Sequence, residues 1–230
     1  MPFNNLLRRL ETRALLLWLA AAGAIWAFLK LAGEMTEGET NAFDSKILLA
    51  LRRPGDLADP IGSRSVEESM RDVTALGGVT FLTLLTVVAT LALLFHGKWK
   101  RALVFAGTVI AANISSEVLK QVYDRPRPAL VPHGSYVYSA SFPSGHSTLA
   151  AATFLTLATV IASLEPHRST KALTYVVAIV LTVMVGFSRV YLGVHWPSDV
   201  LGGWSLGAAW ALLAWIVLNR VTRTQGAPRD

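Results

Sequence analysis

The chain has 230 residues, a formal net charge of +6, five histidines and no cysteine. At 53% hydrophobic and 16% charged residues, with a mean hydropathy of +0.46, it is too apolar for an ordinary soluble domain. The missing cysteine excludes disulfides, a thiolate nucleophile and a thiolate zinc site. The basic excess falls in short loops beside apolar runs, which a membrane explains better than nucleic acid does.

A helix needs about 20 apolar residues to cross the hydrocarbon core. Such runs occur at Ala14–Leu31, Val73–Phe95, Ala102–Leu119, Ser147–Leu164, Ala172–Phe187 and Val200–Leu218. The third carries Asn113, Ser115, Ser116 and Glu117 in its second half, and the fifth is short. Both are hydrophobic all round rather than on one stripe, so neither has a better soluble reading. The expectation is an all-α polytopic membrane protein, a bundle of six transmembrane helices forming a single domain over 1–230.

Arg8, Arg9 and Arg13 precede the first run. That run is longer than a signal-peptide core and shows no small-x-small cleavage site before Lys30, so it reads as a retained anchor. Between the first two runs, Ala42–Leu51 has helical apolar spacing and is followed by Arg52, Arg53 and Pro54. It predicts a short amphipathic helix lying in the outer interface. Pro54, Gly55, Pro60 and Gly62 then break the chain.

Six spans put both termini on one side. One set of loops holds Arg8, Arg9, Arg13, Lys98, Lys100, Arg101, Arg168, Lys171, Arg220, Arg223 and Arg229 against only Glu11, Glu165 and Asp230. The opposite set holds nearly all the other acids. The positive-inside rule makes the first set cytoplasmic. The chemistry-bearing residues then all face outward, the periplasmic or extracellular side of a bacterial inner membrane.

Those residues fall in three stretches. Lys120 and Arg127 lie at the end of the third run and just beyond it, where Arg125 and Arg127 alternate with Pro126 and Pro128. Proline restricts the residue before it, which holds both arginines extended, with planar forks suited to phosphate. Alone, this is as easily a basic anchor for lipid head groups. The second stretch, Ser141 to Ser147, opens the fourth run. Gly145 lets the backbone approach a ligand, first-turn amides suit an anion, Ser144 adds a hydroxyl donor, Ser147 can cap, and His146 can act as an acid. Alone, it is equally an ordinary helix start. The third contains Arg189, His195 and Asp199. Asp199, four residues after His195, can fix the imidazole tautomer and leave the other nitrogen free to attack. Two histidines and an aspartate are also metal-type ligands, but the surrounding cations would repel a dication.

His96 and His167 read as bland cytoplasmic-side residues and His133 as a solvated loop histidine. Glu117 is an intramembrane acid that either has a function or pairs with Lys120.

Lys120-x6-Arg127-Pro128, then Pro143-Ser144-Gly145-His146, then Ser188-Arg189-x5-His195-x3-Asp199 resembles the three-part signature of the type 2 phosphatidic acid phosphatase family. The resemblance is most specific over 120–199. It implies a membrane lipid phosphatase that uses neither metal nor cofactor. His195 would be the nucleophile that forms a phosphohistidine, Asp199 would orient it, and His146 would serve as acid and then base. Lys120, Arg127, Ser144, Gly145 and Arg189 would hold the phosphoryl oxygens. A site at the outer interface suits a lipid phosphate arriving from the bilayer: phosphatidate, phosphatidylglycerol phosphate or undecaprenyl diphosphate. No nucleic acid and no obligate protein partner is expected. Two alternatives stay open, a phosphotransferase using the same phosphohistidine and a non-catalytic lipid-phosphate binding or transport protein. The related vanadium haloperoxidases are soluble, which six spans disfavour.

Overall fold

The computed structural model describes residues 2–135, 137 and 139–223. Arg229 and Asp230 lie outside the described residues, as do the side chains of Arg8, Arg9, Glu11, Arg13 and Arg223. In chain order the elements are α1 (Pro2–Thr36), α2 (Asn41–Ala50), β1 (Arg52–Arg53), β2 (Asp56–Pro60), α3 (Arg64–Ala75), α4 (Val79–Phe95), α5 (Trp99–Tyr123), α6 (Gly145–Leu164), α7 (Arg168–Tyr191) and α8 (Pro197–Arg223). Among the described residues, five helices are long and apolar enough to cross a membrane, and α3 with α4 passes the same test as a bent pair, a sixth span if the two are counted as one.

The middle of the bundle is α6, packed against α5, α7 and α8. Its most apolar stretch is 67% buried, against 17% for α1. The composition explains this. Alanine, serine and threonine dominate its inward positions, and small side chains let backbones approach, which is what holds helices together when lipid removes the hydrophobic drive. The facing side of α8 answers with glycine: a Cβ at Gly207 would lie 2.5 Å from the Thr148 carbonyl oxygen, and one at Gly203 would lie 2.7 Å from that of Ser144. Large apolar side chains such as Leu15, Leu84, Ile110 and Val176 point outward, where acyl chains would cover them.

The second apolar run is not the continuous helix expected over Val73–Phe95. The chain bends by 45° between α3 and α4. Gly77 and Gly78 fall at the break, where glycine weakens the helix. A Cβ at Gly77 would lie 2.3 Å from Val185 Cγ1, so the junction is pressed onto α7. The bend brings Thr74 within 2.9 Å of Arg189 Nη1.

The expected interfacial helix forms as α2 but is docked rather than afloat. Its Asp44 and Leu48 are fully buried and the helix packs on α8. The chain-breaking stretch after it closes into an antiparallel pair, β1 with β2, that the proline and glycine signals did not announce. Arg52 from this hairpin is buried and donates from Nη1 to the Tyr191 carbonyl at 3.0 Å, which pins the end of α7.

Candidate active site

The C-terminal ends of α5 and α7 and the N-terminal ends of α6 and α8 meet at one end of the bundle. The Ser144 amide donates to the Asp199 carbonyl at 3.0 Å and so ties the start of α6 to that of α8. Lys120 ends α5 beside Gly145: its Nζ lies 3.0 Å from where a Cβ would stand. Any side chain at Gly145 would press on the ammonium.

His195 sits in the connection between α7 and α8, with 2% of its surface exposed. Its Nδ1 is 3.3 Å from Asp199 Oδ2. Its Nε2 is 3.2 Å from Arg127 Nη1. A guanidinium can only donate, so Nε2 accepts and the ring proton is on Nδ1, toward the carboxylate. Burial pulls the imidazole down to about 4, a larger effect than the upward pull of Asp199, and Arg189 and Arg127 push the same way as burial. The ring is thus neutral at ordinary pH, with its lone pair aimed into the cationic cluster.

Arg127 is held at the mouth by the carbonyls of Val194 (2.7 Å) and Ser139 (2.8 Å). Arg189 is 3% exposed and bonds Thr74, but its Nε is buried with no hydrogen-bond partner among the described residues. An orphan guanidinium nitrogen costs free energy unless a ligand supplies the acceptor. His146, in the first turn of α6, is within electrostatic reach of Arg189, His195, Lys120 and Arg127. Ser144, not Ser147, is the N-cap of α6, and it makes no side-chain cap bond. Ser147 Oγ donates instead to Ser144 Oγ at 2.9 Å, which leaves the Ser144 hydroxyl proton free. First-turn amides have no intrahelical partner, so they too remain available to an anion.

The geometry thus gathers Lys120, Arg127, Ser144, Gly145, His146, Arg189, His195 and Asp199 at one end. Glu117 takes the plainer of its two readings and pairs with Lys120 Nζ at 2.8 Å. His133 is exposed, as expected of a loop histidine, with its Nε2 2.8 Å from the Pro128 carbonyl, and it lines a cavity of about 490 Å³ with Arg71. His96 lies at the far end of the bundle beside Lys98.

Arg125 corrects the sequence reading most. It was expected to present its fork to phosphate beside Arg127. Instead it is buried and donates to Asp199 Oδ1 (2.5 Å), Ser198 Oγ (2.8 Å) and Asp44 Oδ2 (2.8 Å). Ser141, passed over in the sequence, donates to Asp199 Oδ2. The available signal for Asp44 was an acid in the amphipathic run Ala42–Leu51, beside Ser45 and Lys46.

The family model of the PAP2 superfamily matches residues 101–223. The chain belongs to the PAP2 superfamily. It is 39% identical over 145 residues to phosphatidylglycerophosphatase B of Bacillus subtilis (strain 168), across 62% of this chain and 70% of that protein. It is 30% identical over 126 residues to an undecaprenyl-diphosphatase of Sulfolobus acidocaldarius, across 53% of this chain and 57% of that one. The crystal structure of a transmembrane PAP2 type phosphatidylglycerolphosphate phosphatase from Bacillus subtilis superposes with a TM-score of 0.77 at 31% identity, over 91% of this chain and 98% of that one. This PAP2 chain is accordingly a membrane-embedded phosphatase, a hydrolase with an all-α architecture.

Proposed function

We propose that this protein hydrolyses a lipid phosphate or diphosphate through a phosphohistidine on His195. The observation that carries the reading is the aim of that imidazole. Asp199 holds Nδ1 while Nε2 faces Arg127, and the nearby Arg189 Nε lacks any partner.

Lys120, Arg127, Arg189, the Ser144 hydroxyl and the Gly145 amide bind the phosphoryl oxygens. His195 Nε2 attacks phosphorus in line with the departing oxygen. The P–O bond breaks as the N–P bond forms, and His146 gives its proton to the leaving oxygen. Asp199 stabilises the imidazolium character that develops. In the second step water loses a proton to His146 and attacks phosphorus. The N–P bond breaks, phosphate leaves and neutral His195 returns. Charge shifts onto the phosphoryl oxygens at each transition state, where fixed cations in a partly dry site act most strongly.

The lipid reaches the site laterally with its chains still in the bilayer, and the site opens on the outer face with both termini cytoplasmic. The 39% identical relative favours phosphatidylglycerol phosphate as substrate, and the 30% identical one keeps undecaprenyl diphosphate in view. The test is phosphate release by purified protein, with chelator present, from phosphatidate, phosphatidylglycerol phosphate and undecaprenyl diphosphate. Hydrolysis of at least one, lost in both His195→Ala and His146→Ala, is the expected result. Full activity in either variant overturns the mechanism. Transfer of the phosphoryl group to an acceptor lipid in place of phosphate release would make the protein a phosphotransferase.

A further inference from the structure

We propose that Asp44, on the accessory helix α2, sets the reactivity of His195 from a distance by dividing the fork of Arg125 between two carboxylates. The inference rests on the phosphohistidine reading and adds two positioning residues to it, neither of which touches substrate.

The geometry is a buried chain of charge. Arg125 gives Nη1 to Asp199 Oδ1 at 2.5 Å and Nη2 to Asp44 Oδ2 at 2.8 Å. Asp44 also accepts the Ser198 amide at 2.8 Å and its hydroxyl at 2.6 Å. Asp44, Arg125 and Asp199 are 0%, 8% and 0% exposed. Asp199 Oδ2 is therefore left for the His195 ring, the Trp196 amide at 2.8 Å and Ser141.

An arginine facing a single carboxylate tends to grip both oxygens, because its fork matches their spacing. Asp44 prevents this by occupying Nη2. Without it, the freed nitrogen competes with His195 Nδ1 for Asp199 Oδ2. The imidazole then loses its fixed tautomer and its orientation. A clamp that only fastened α2 to α8 would need a partner for Asp44, but not one whose other hand holds the residue that orients the nucleophile. The chain of contacts spans residues 44, 125, 195 and 199, so three separate parts of the sequence must fold together before the nucleophile is aimed.

The test uses the purified full chain in detergent micelles and whichever of the three lipids named above the wild type turns over fastest. Asp44→Asn is expected to lower kcat between about tenfold and a hundredfold while KM stays within about twofold, since misaim costs rate rather than binding. Placed on Asp199→Asn, the same change is expected to cost nothing more, because its route of action is already cut. Unchanged kcat per folded molecule in Asp44→Asn, or losses that simply multiply in the double variant, would overturn the proposal. If Asp44→Asn alone fails to fold because Arg125 is left half-paired, the double change Asp44→Asn with Arg125→Gln removes the surplus charge. That protein should fold and turn over slowly, because Asp199 Oδ1 has lost the guanidinium that holds the carboxylate toward His195, and wild-type turnover in it sinks the idea. Full activity in Asp199→Asn itself defeats the underlying mechanism. An inactive Asp199→Asn beside a fully active Asp44→Asn defeats only the role given to Asp44.

Discussion

Arg127 and His195 share a hydrogen bond at the ring nitrogen that faces away from Asp199. Nη1 of the arginine lies 3.2 Å from Nε2 of the histidine. The arginine covers the lone pair of this nitrogen and fixes the ring proton on the Asp199 side. Under the proposed mechanism, a phosphoryl group entering the site would give Arg127 an anionic acceptor stronger than a neutral imidazole. The arginine would then move its bond to a phosphoryl oxygen and uncover Nε2 in the same event, so the proposed nucleophile is free only when its target is present.

Asp199→Asn should separate binding from chemistry. The amide keeps the shape but can offer His195 an N–H where the carboxylate offered only lone pairs, so the ring favours the wrong tautomer. In a triad with the same logic the loss is about four orders of magnitude in kcat. A fall of at least about a hundredfold with KM within a few-fold is expected here. Steady-state kinetics in micelles measures it, and unchanged turnover would remove the orienting role.

The helices were legible in the sequence because lipid demands long apolar runs and little else. The motif residues were legible through the spacing of the three stretches together, since the first two, read alone, are equally an anchor and a helix start. Two things were hidden. The break at Gly77 is set by the approach of Val185 from α7, more than 100 residues away. The separation of Arg125 from Arg127 was hidden for a similar reason. Both sit before a proline in one extended stretch, and only the arrival of Asp44 on α2 decides that one turns to the interior and the other to the site.

Arg189 should be worth more than its charge. Its Nη1 is spent on Thr74, and its buried Nε has no hydrogen-bond partner among the described residues, a place the proposed phosphoryl oxygen would fill. Lysine keeps the cation but cannot reach Thr74 and the ligand together. Arg189→Lys is expected to lose about a hundredfold or more in kcat/KM, as when one oxyanion donor is removed. Thr74→Val, which removes only the brace, should lose about tenfold or less, most of it in KM. Equal losses in the two variants would contradict this ordering.

The pH dependence follows from burial of His195. In the folded protein its pKa is pulled down to about 4, against 6.5 for the free group. Between these values the unfolded chain binds a proton on this residue and the folded one does not, so stability rises with pH across that window. The contribution is whole above 6.5 and is lost as pH falls through the folded value. Thermal midpoints at pH 7 and pH 4.5 should therefore drop further for the wild type than for His195→Gln, and an equal drop in both would show that this imidazole is not held neutral. The acid limb of kcat/KM set by the free nucleophile should likewise lie nearer 4 than 6.5.

The contact of α8 with α6 tests whether fold and chemistry can be damaged separately. Gly207 lies two turns along α8 from Asp199, and its missing Cβ would sit 2.5 Å from the Thr148 carbonyl oxygen and 2.6 Å from Ala151 Cβ. Neither neighbour can swing away, since one is backbone and the other a methyl group on the facing helix. Gly207→Ala must push the helices apart, which should cost about 1–3 kcal/mol and lower the thermal midpoint. Because α6 and α8 both end in the site, the same push opens the distance between His146 and His195. A loss of kcat beyond the loss of folded protein is therefore expected, with KM little changed. Full turnover per folded molecule would show that the site ends of the two helices are held by the Ser144–Asp199 link and the charges around it, independently of the glycine seam below.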